Sequence, residues 1–144
     1  MIIALLQTNL IWENPAENRR LIELELANLN ELVDLIVLPE MFTSGFTMNP
    51  KVVAETMQGE TIIWMQKIAK ENNSAITGSL VIEESGNYYN RLIFVFPDGS
   101  LQQYDKRHLF TFAGEDKVYK AGKDKVIVEY KGFKICLLIC YDLR

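Results

Sequence analysis

Three residues with reactive side chains each stand at the end of a predicted strand. Glu40 comes after LIVLP, Lys106 comes after LQQYD, and Cys140 ends the run KICLLIC. The short apolar runs before Glu40 and at Cys140 predict buried strands. Residues just past the carboxyl ends of parallel strands meet at one edge of a sheet. We therefore expect these three side chains to converge if their strands are parallel neighbours.

A carboxylate, an ammonium and a thiol can together perform nucleophilic catalysis at a carbonyl group. The carboxylate takes the thiol proton, the ammonium favours the thiolate and then stabilises the oxyanion, and the sulfur attacks the carbonyl carbon. Spacing alone supports this interpretation only weakly, because Glu and Lys are common at strand ends. Free cysteine is also among the most buried residue types, so Cys140 taken alone is more typical of a core thiol.

An amphipathic helix is predicted after the first strand, which is placed at residues 2–8. Asn14 and Pro15 form a helix start, with Asn as the N-cap and Pro at the first helical position. The apolar residues that follow lie four, three and four positions apart, which places them on one helix face: Ile22, Leu26, Leu29 and Val33. A second helix is predicted at about residues 60–71.

A series of strands separated by turn signals follows the second helix. Ser85-Gly86-Asn87 and Pro97-Asp98-Gly99 predict hairpin turns, and residues 107–125 form a long loop of the kind that is often functional. Together with residues 35–38 before the helix, the predicted strands are 75–83, 89–96, 100–105, 126–130 and 134–140. This order predicts an α/β fold around a mixed sheet.

The composition excludes several classes of function. The 144 residues are 49% hydrophobic and 24% charged, with a formal charge of −4, as in one ordinary globular domain. Net negative charge argues against a nucleic acid or an anionic membrane as partner. No apolar run approaches the roughly 18 residues of a membrane-spanning helix. The N-terminal MIIALLQTNLIW has no basic segment and no cleavage site, so no signal peptide is expected.

The cysteine and histidine content bears on metal binding and on the cell compartment. One His and two Cys are too few soft ligands for a structural zinc site, so no metal is expected. On one strand, the Cα atoms of Cys136 and Cys140 would lie about 13 Å apart, whereas a disulfide needs about 7 Å or less. Two unbridged thiols are typical of a reducing cytoplasm. A cytoplasmic protein is therefore predicted, with Cys136 packed in the core.

The segments around the three reactive residues resemble a known family. LPEMF at 38–42, YDKRHLF at 104–110 and CYDLR at 140–144 are similar, in the same order, to the signature segments of the nitrilase superfamily of carbon–nitrogen hydrolases. MFTSGFTM at 41–48 and the KRHLF segment look closest to the omega-amidase branch. That branch removes ammonia from the side-chain amides of 2-oxo dicarboxylates. Each motif alone is unremarkable, whereas three in order are specific.

The resemblance implies roles for particular residues. The family's catalytic glutamate, lysine and cysteine fall on Glu40, Lys106 and Cys140. A further glutamate of the family falls, with a looser fit, on Glu115 in FAGED, where it supports the lysine or the nucleophile. The backbone N–H of Tyr141 joins Lys106 in the oxyanion hole. Neither a metal nor an organic cofactor is implied.

Three residues near the predicted site have more than one interpretation. Phe42 and Phe110 lie in the loops that flank the site and are expected to be walls of the substrate pocket, although phenylalanines more often belong to a core. His108 suggests a Cys–His dyad. Glu40 and Lys106 already supply the base and the charge, which makes the dyad the weaker interpretation.

The fold that the resemblance implies is a nitrilase-like α-β-β-α sandwich, present only as its N-terminal half. Residues 1–144 are accordingly expected to be one carbon–nitrogen hydrolase domain that is incomplete at its C-terminus. The expected partner is a small-molecule amide substrate, with no nucleic acid and no membrane. The complete protein is expected to form a homo-oligomer, namely a dimer.

The predicted function is that of an amidase, which hydrolyses a small carboxylic amide to acid and ammonia through a Cys140 thioester. The expected substrate is the terminal amide of a 2-oxo dicarboxylate such as 2-oxoglutaramate, and the fragment alone is expected to be inactive. Three alternatives stay open: a fragment that acts only by pairing with the remainder, a hydrolase of N-carbamoyl compounds, and a flavodoxin-like nucleotide-binding module. The last is disfavoured because TNLIWENP, after the first strand, has no glycine-rich phosphate loop.

Overall fold

The computed structural model describes residues 1–29 and 31–144. Strands and helices alternate in the first half, and strands dominate the second half. In chain order the elements are β1 (Ile3–Leu5), α1 (Pro15–Ala27), β2 (Leu35–Val37), α2 (Pro50–Val53), α3 (Glu60–Asn72), β3 (Ala75–Glu84), β4 (Asn87–Val95), β5 (Leu101–Asp105), β6 (Ile127–Tyr130) and β7 (Phe133–Cys136). Short 3-10 turns lie at Thr111–Ala113, Glu115–Lys117 and Cys140–Leu143.

The first five strands form one sheet in chain order, β1-β2-β3-β4-β5. β1, β2 and β3 run parallel, whereas β4 runs antiparallel to both β3 and β5. β5 therefore points in the same direction as β2. As a result, the carboxyl ends of β2 and β5 lie at the same edge of the sheet, although β3 and β4 lie between them and the two strands are not the parallel neighbours that we expected.

Helices cover one face of this sheet, and a second sheet covers the other. Ile22 of α1 and Met65 of α3 share a core cluster with Ile36 of β2 and Ile76 of β3. Alternate strand residues point to the opposite face, where Phe94 packs with residues of the antiparallel β6–β7 hairpin. The described residues therefore form three layers: helices, a five-stranded sheet and a two-stranded sheet.

The start of α1 follows its sequence signals, but its end does not. The side chain of Asn14 accepts a hydrogen bond from the N–H of Glu17 at 3.2 Å, and Pro15 occupies the first helical position. Two members of the predicted apolar face, Ile22 and Leu26, are buried. The helix ends at Ala27, so Leu29 and Val33 do not continue its apolar face.

The β3–β4 hairpin confirms the turn predicted at residues 85–87. Ser85 and Gly86 both have positive φ angles, of 52° and 73°. Two consecutive residues with positive φ make the tight turn that matches the natural twist of antiparallel strands.

Two predicted strands are too long. β1 covers Ile3–Leu5 rather than residues 2–8. β7 ends at Cys136, whose register partner Ile127 is the first residue of β6, so the pairing ends there. The predicted strand over residues 134–140 therefore stops four residues before Cys140. The prediction that Cys136 is packed in the core is also wrong, because Cys136 is exposed.

The predicted mixed α/β fold is confirmed, and the three layers correspond to part of the four-layer sandwich that the resemblance implies. None of the helices in the described residues is long and apolar enough to cross a membrane.

Candidate active site

Glu40 lies just beyond the end of β2, and the chain that follows it is tied to β3. Met41 has a positive φ of 47°, and its N–H donates to Ser79 Oγ at 2.9 Å. The N–H of Phe42 donates to the carbonyl of Ser79 at 3.0 Å. These bonds hold Glu40 at the edge of the sheet.

Gly78 allows this chain to pass close to β3. A Cβ atom at Gly78 would lie 2.8 Å from Leu38 Cβ and 2.9 Å from the ring of Phe42, closer than side-chain atoms approach. Phe42 itself is fully buried, with its ring centroid 5.9 Å from that of Trp64. Phe42 therefore belongs to the core beneath the site and is not the pocket wall that we expected.

Lys106 directly follows β5, and its backbone is held on both sides. Its N–H donates to the carbonyl of Asn90 at 3.0 Å, and its carbonyl accepts from the N–H of Gly122 at 2.9 Å. A Cβ atom at Gly122 would collide with the backbone of Asp105, so a larger residue does not fit there. The lysine thus enters the site from a fixed backbone.

The ammonium of Lys106 lies between two carboxylates. Nζ donates to Glu40 Oε1 at 2.8 Å and to Glu115 Oε2 at 3.0 Å, and the lysine side chain is 1% exposed. Burial lowers the pKa of Lys106, but the bonds to Glu40 and Glu115 outweigh burial and raise its pKa overall. Lys106 is therefore a fixed positive charge at neutral pH.

Glu115 is brought to the site although its match to the family pattern was loose. It begins the 3-10 turn Glu115–Lys117 and has no exposed surface. Besides Lys106, its Oε2 accepts a hydrogen bond from the N–H of Phe110 at 2.6 Å. Glu115 therefore fixes both the lysine and the loop that carries Phe110.

Sequence reasoning missed Asn90, which also lies in this cluster. Asn90 sits within β4, is 1% exposed, and donates from Nδ2 to both Glu40 and Glu115. One signal was available, because asparagine is depleted in strands and Asn90 interrupts a strand segment.

Cys140 begins the 3-10 turn Cys140–Leu143 and has a φ of +44°. Such backbone strain in a residue other than glycine is typical of functional sites. Cys140 is exposed and, together with Glu40, lines a cavity of about 190 Å³ whose other lining residues include Thr77 and Ser79.

The surroundings of Cys140 act on its thiol in opposite directions. Cys140 is exposed as a residue, but partial burial of its thiol raises the pKa, the charge of Glu40 raises it further, and the opposing effect of Lys106 is smaller. Lys106 therefore acts in favour of the thiolate, but the other two effects outweigh it and the thiol is neutral at rest. A neutral thiol needs a base, and Glu40 lies beside it.

Asp142 connects the Cys140 turn to the segment around Lys106. Its side chain accepts hydrogen bonds from the hydroxyl of Tyr104 at 2.7 Å, from the N–H of His108 at 2.8 Å and from the N–H of Ile139 at 3.0 Å. Burial raises the pKa of Asp142, but these donors outweigh burial and lower it overall. His108 Nδ1 lies 2.9 Å from Asp142 Oδ1, so the histidine ring is engaged with Asp142.

Aromatic residues surround the other side of Cys140. The ring centroids of Phe110 and Tyr141 are 5.4 Å apart. Phe110, Tyr141 and Arg144 line, with Cys140, a second cavity of about 360 Å³. The structure thus places Phe110 beside the nucleophile candidate.

Within residues 1–29 and 31–144, no group of three or more His, Cys, Asp and Glu side chains is placed to hold a metal ion.

Comparison with known proteins identifies the family of this chain. The family model of the carbon-nitrogen hydrolases matches residues 2–144. The chain belongs to the carbon–nitrogen hydrolase family. The resemblance to the nitrilase superfamily that we drew from three motifs is therefore confirmed.

Curated relatives of this chain carry the names of amidases. An omega-amidase, YafV of Escherichia coli, is 42% identical over 142 residues, which cover 99% of this chain and 55% of the relative. A 2-oxoglutaramate amidase of Bacillus subtilis is 29% identical and is matched over 99% of this chain and 56% of the relative. The similarity to the omega-amidase branch is thus confirmed, and the chain spans about half the length of these relatives.

Solved structures agree with the fold of this chain. A carbon–nitrogen hydrolase superfamily protein from Xanthomonas campestris, with an arsenic adduct in its active site, matches with a TM-score of 0.94 at 43% identity. The match covers 98% of this chain and 53% of that one. A mutant amidase from Nesterenkonia sp., at 23% identity, has the same fold with a TM-score of 0.87 over 99% of this chain and 58% of that one.

Proposed function

We propose that the protein hydrolyses small carboxylic amides to an acid and ammonia through a thioester on Cys140. The observation that carries this proposal is the buried Lys106 ammonium held between Glu40 and Glu115, beside a cavity that Glu40 shares with Cys140. A base, a positive charge and a thiol at one cavity are the groups that covalent hydrolysis of an amide requires.

Acylation begins with proton transfer, because the thiol is neutral at rest. Glu40 accepts the proton of Cys140 Sγ as the sulfur attacks the amide carbon and the C=O π electrons move to the oxygen. Lys106 Nζ and the backbone N–H of Tyr141 stabilise this oxyanion. The oxyanion then reforms the carbonyl, the C–N bond breaks, and Glu40 returns its proton to the nitrogen. Ammonia leaves, and the acyl group remains on sulfur.

Deacylation uses the same base on water. Glu40 takes a proton from water as the oxygen attacks the thioester carbon, and Lys106 again stabilises the oxyanion. The C–S bond then breaks, and the proton held by Glu40 returns to the sulfur of Cys140. The sum of both steps is one amide and one water converted to one carboxylic acid and one ammonia.

We infer that the substrate carries a carboxylate, as 2-oxoglutaramate does. The relatives named omega-amidase and 2-oxoglutaramate amidase support this choice. The cavity beyond Cys140 also carries a cation, Arg144, next to the rings of Phe110 and Tyr141. The planar guanidinium of Arg144 can donate two parallel hydrogen bonds to the carboxylate of such a substrate.

Ammonia release across a panel of compounds tests the proposal. We expect turnover of 2-oxoglutaramate to exceed that of N-carbamoyl amino acids, nitriles and plain aliphatic amides. The variant Cys140→Ala should be inactive, while Cys136→Ala, which alters the other exposed cysteine, should keep wild-type activity. Equal or better rates on a nitrile would contradict the omega-amidase assignment. A preference for N-carbamoyl compounds would favour the alternative function, a hydrolase of N-carbamoyl compounds.

The complete protein is further proposed to act as a cytoplasmic homodimer.

A further inference from the structure

We propose that Asn90 is a positioning residue of this site, whose amide holds one carboxylate oxygen of Glu40 so that the other faces Cys140. The inference rests on the proposed function and adds a residue to it. Asn90 does not touch the reacting atoms in the mechanism above and acts through Glu40.

The amide of Asn90 donates to both glutamates of the cluster. Nδ2 lies 2.9 Å from Glu40 Oε1 and 3.1 Å from Glu115 Oε1. An NH₂ group has two donors, so one amide nitrogen can serve both carboxylates at once. These bonds link the end of β2 to the turn that begins at Glu115.

The bonds make the two oxygens of Glu40 different from each other. Oε1 accepts from Asn90 Nδ2 and also from Lys106 Nζ at 2.8 Å, and Oε2 takes part in neither bond. Two donors on one oxygen fix the rotation of the carboxylate and favour negative charge on Oε1. Oε2 is then the oxygen that receives the proton of Cys140.

The orientation of the amide is set by the carboxylates. Turning the amide over would place Oδ1, an acceptor, against two acceptor carboxylates, which is unfavourable. In the orientation observed, Oδ1 is buried and has no hydrogen-bond partner within residues 1–29 and 31–144. Buried polar atoms are normally satisfied. Asn90 therefore directs its amide donors to the two glutamates, while its carbonyl oxygen has no partner among the described residues.

The backbone of Asn90 also fixes the lysine. Its carbonyl accepts from the N–H of Lys106 at 3.0 Å, which continues the pairing of β4 with β5 past Asp105. Asn90 thus holds the backbone of Lys106 through its carbonyl and holds the carboxylates of Glu40 and Glu115 through its side-chain amide. Among the described residues, the titratable groups that face Glu40 are Lys106 just after β5, Cys140 from its turn, and Glu115 through Asn90.

The test uses the full protein with Asn90→Ala, the near-isosteric Asn90→Asp, and the control Ser74→Ala. Ser74 is equally buried, and its hydroxyl donates to the carbonyl of Val33 at 2.6 Å at the opposite end of the sheet. The two readouts are kcat and KM for amide hydrolysis and the pH midpoint of Cys140 alkylation by iodoacetamide, because the charge of Glu40 beside the thiol raises the pKa of Cys140. The alkylation needs no substrate.

For Asn90→Ala we expect kcat to fall about a hundredfold, with little change in KM, because the base is misplaced. Without Asn90 the Glu40 carboxylate is free to turn away from Cys140, so the alkylation midpoint of Cys140 should move to lower pH. Asn90→Asp keeps the shape of the side chain but replaces the donor with a third carboxylate, so its kcat should fall at least as far. Ser74→Ala should lower Tm and move neither value.

The outcomes separate this inference from the proposed function. Folded Asn90 variants with the wild-type kcat and the wild-type midpoint would overturn the inference and leave the amidase proposal intact. A shifted midpoint in a protein that hydrolyses none of the amides would uphold the positioning role and overturn the proposed function. A kcat loss without any shift of the midpoint, matched by Ser74→Ala, would reduce Asn90 to a structural residue.

Discussion

At the scale of single residues, Lys106 is the group on which the site depends most. Its ammonium contacts both Glu40 and Glu115 and is proposed to face the oxyanion. Lys106→Met keeps the length of the side chain and removes the charge, so we expect kcat to fall by about two to three orders of magnitude. Steady-state ammonia release measures this loss.

A matched control for this prediction lies on the surface. Lys131 also forms an ion pair, with Asp34, but its side chain is half exposed. Exposed pairs contribute little, so Lys131→Met should keep the wild-type kcat. Equal losses in the two variants would show that the Lys106 effect is not specific to the site.

The thiol of Cys140 gives a second prediction at this scale. Burial and the charge of Glu40 raise the pKa of Cys140, so its alkylation by iodoacetamide should have a midpoint above the ordinary thiol value of about 8.5. Glu40→Gln removes one of these causes and should lower the midpoint, although it removes the base and slows hydrolysis. Peptide mass spectrometry separates the label on Cys140 from that on Cys136. A midpoint that rises or stays unchanged in Glu40→Gln would contradict the proposed contact.

At the scale of elements, the turn that presents Cys140 depends on Asp142. The donors around Asp142 lower its pKa, so the stability it contributes is present above the ordinary carboxyl value of about 3.9 and is lost as pH falls through the lower value in the folded protein. Asp142→Asn should cost about 1–3 kcal/mol at pH 7.

Thermal melts across pH measure this contribution. The difference in Tm between the wild type and Asp142→Asn should shrink as pH falls below about 4. Asp124→Asn, in an exposed loop, should leave Tm unchanged. A wild-type Tm for Asp142→Asn at pH 7 would show that Asp142 does not stabilise this turn.

The elements also show why part of the site was predictable from sequence. Glu40 and Lys106 follow locally recognisable strands, and the shared direction of β2 and β5 places both residues at one edge of the sheet. β3 and β4 lie between those strands, so the long side chains of Glu40 and Lys106 close the remaining distance. Asn90 and Asp142 act through partners that are distant in sequence, 50 residues away for Asn90 and Glu40, and no local pattern encodes such contacts. Phe42 was misplaced for the same reason, because its burial depends on the close approach permitted by Gly78.

At the scale of the whole molecule, β1 is an edge strand with exposed apolar side chains. Ile3 is 45% exposed and Leu5 is 75% exposed. Apolar edge strands favour association. We therefore expect residues 1–144 to be associated in size-exclusion chromatography with light scattering.

A single substitution tests whether β1 is responsible. Leu5→Lys places a charge on the exposed edge and should shift the population toward monomer. A wild-type chain of residues 1–144 that is a monodisperse 16.6 kDa monomer would contradict this prediction.

The measurement that most directly tests the central claim is the detection of an acyl group on Cys140. The full protein and its Glu40→Gln variant are mixed with 2-oxoglutaramate, quenched in acid and analysed by peptide mass spectrometry. The account predicts a thioester on the Cys140 peptide and none on the Cys136 peptide. If Glu40 acts chiefly in the second step, the thioester should accumulate in Glu40→Gln. Hydrolysis at the wild-type rate by Cys140→Ala, or acylation of any residue other than Cys140, would contradict it.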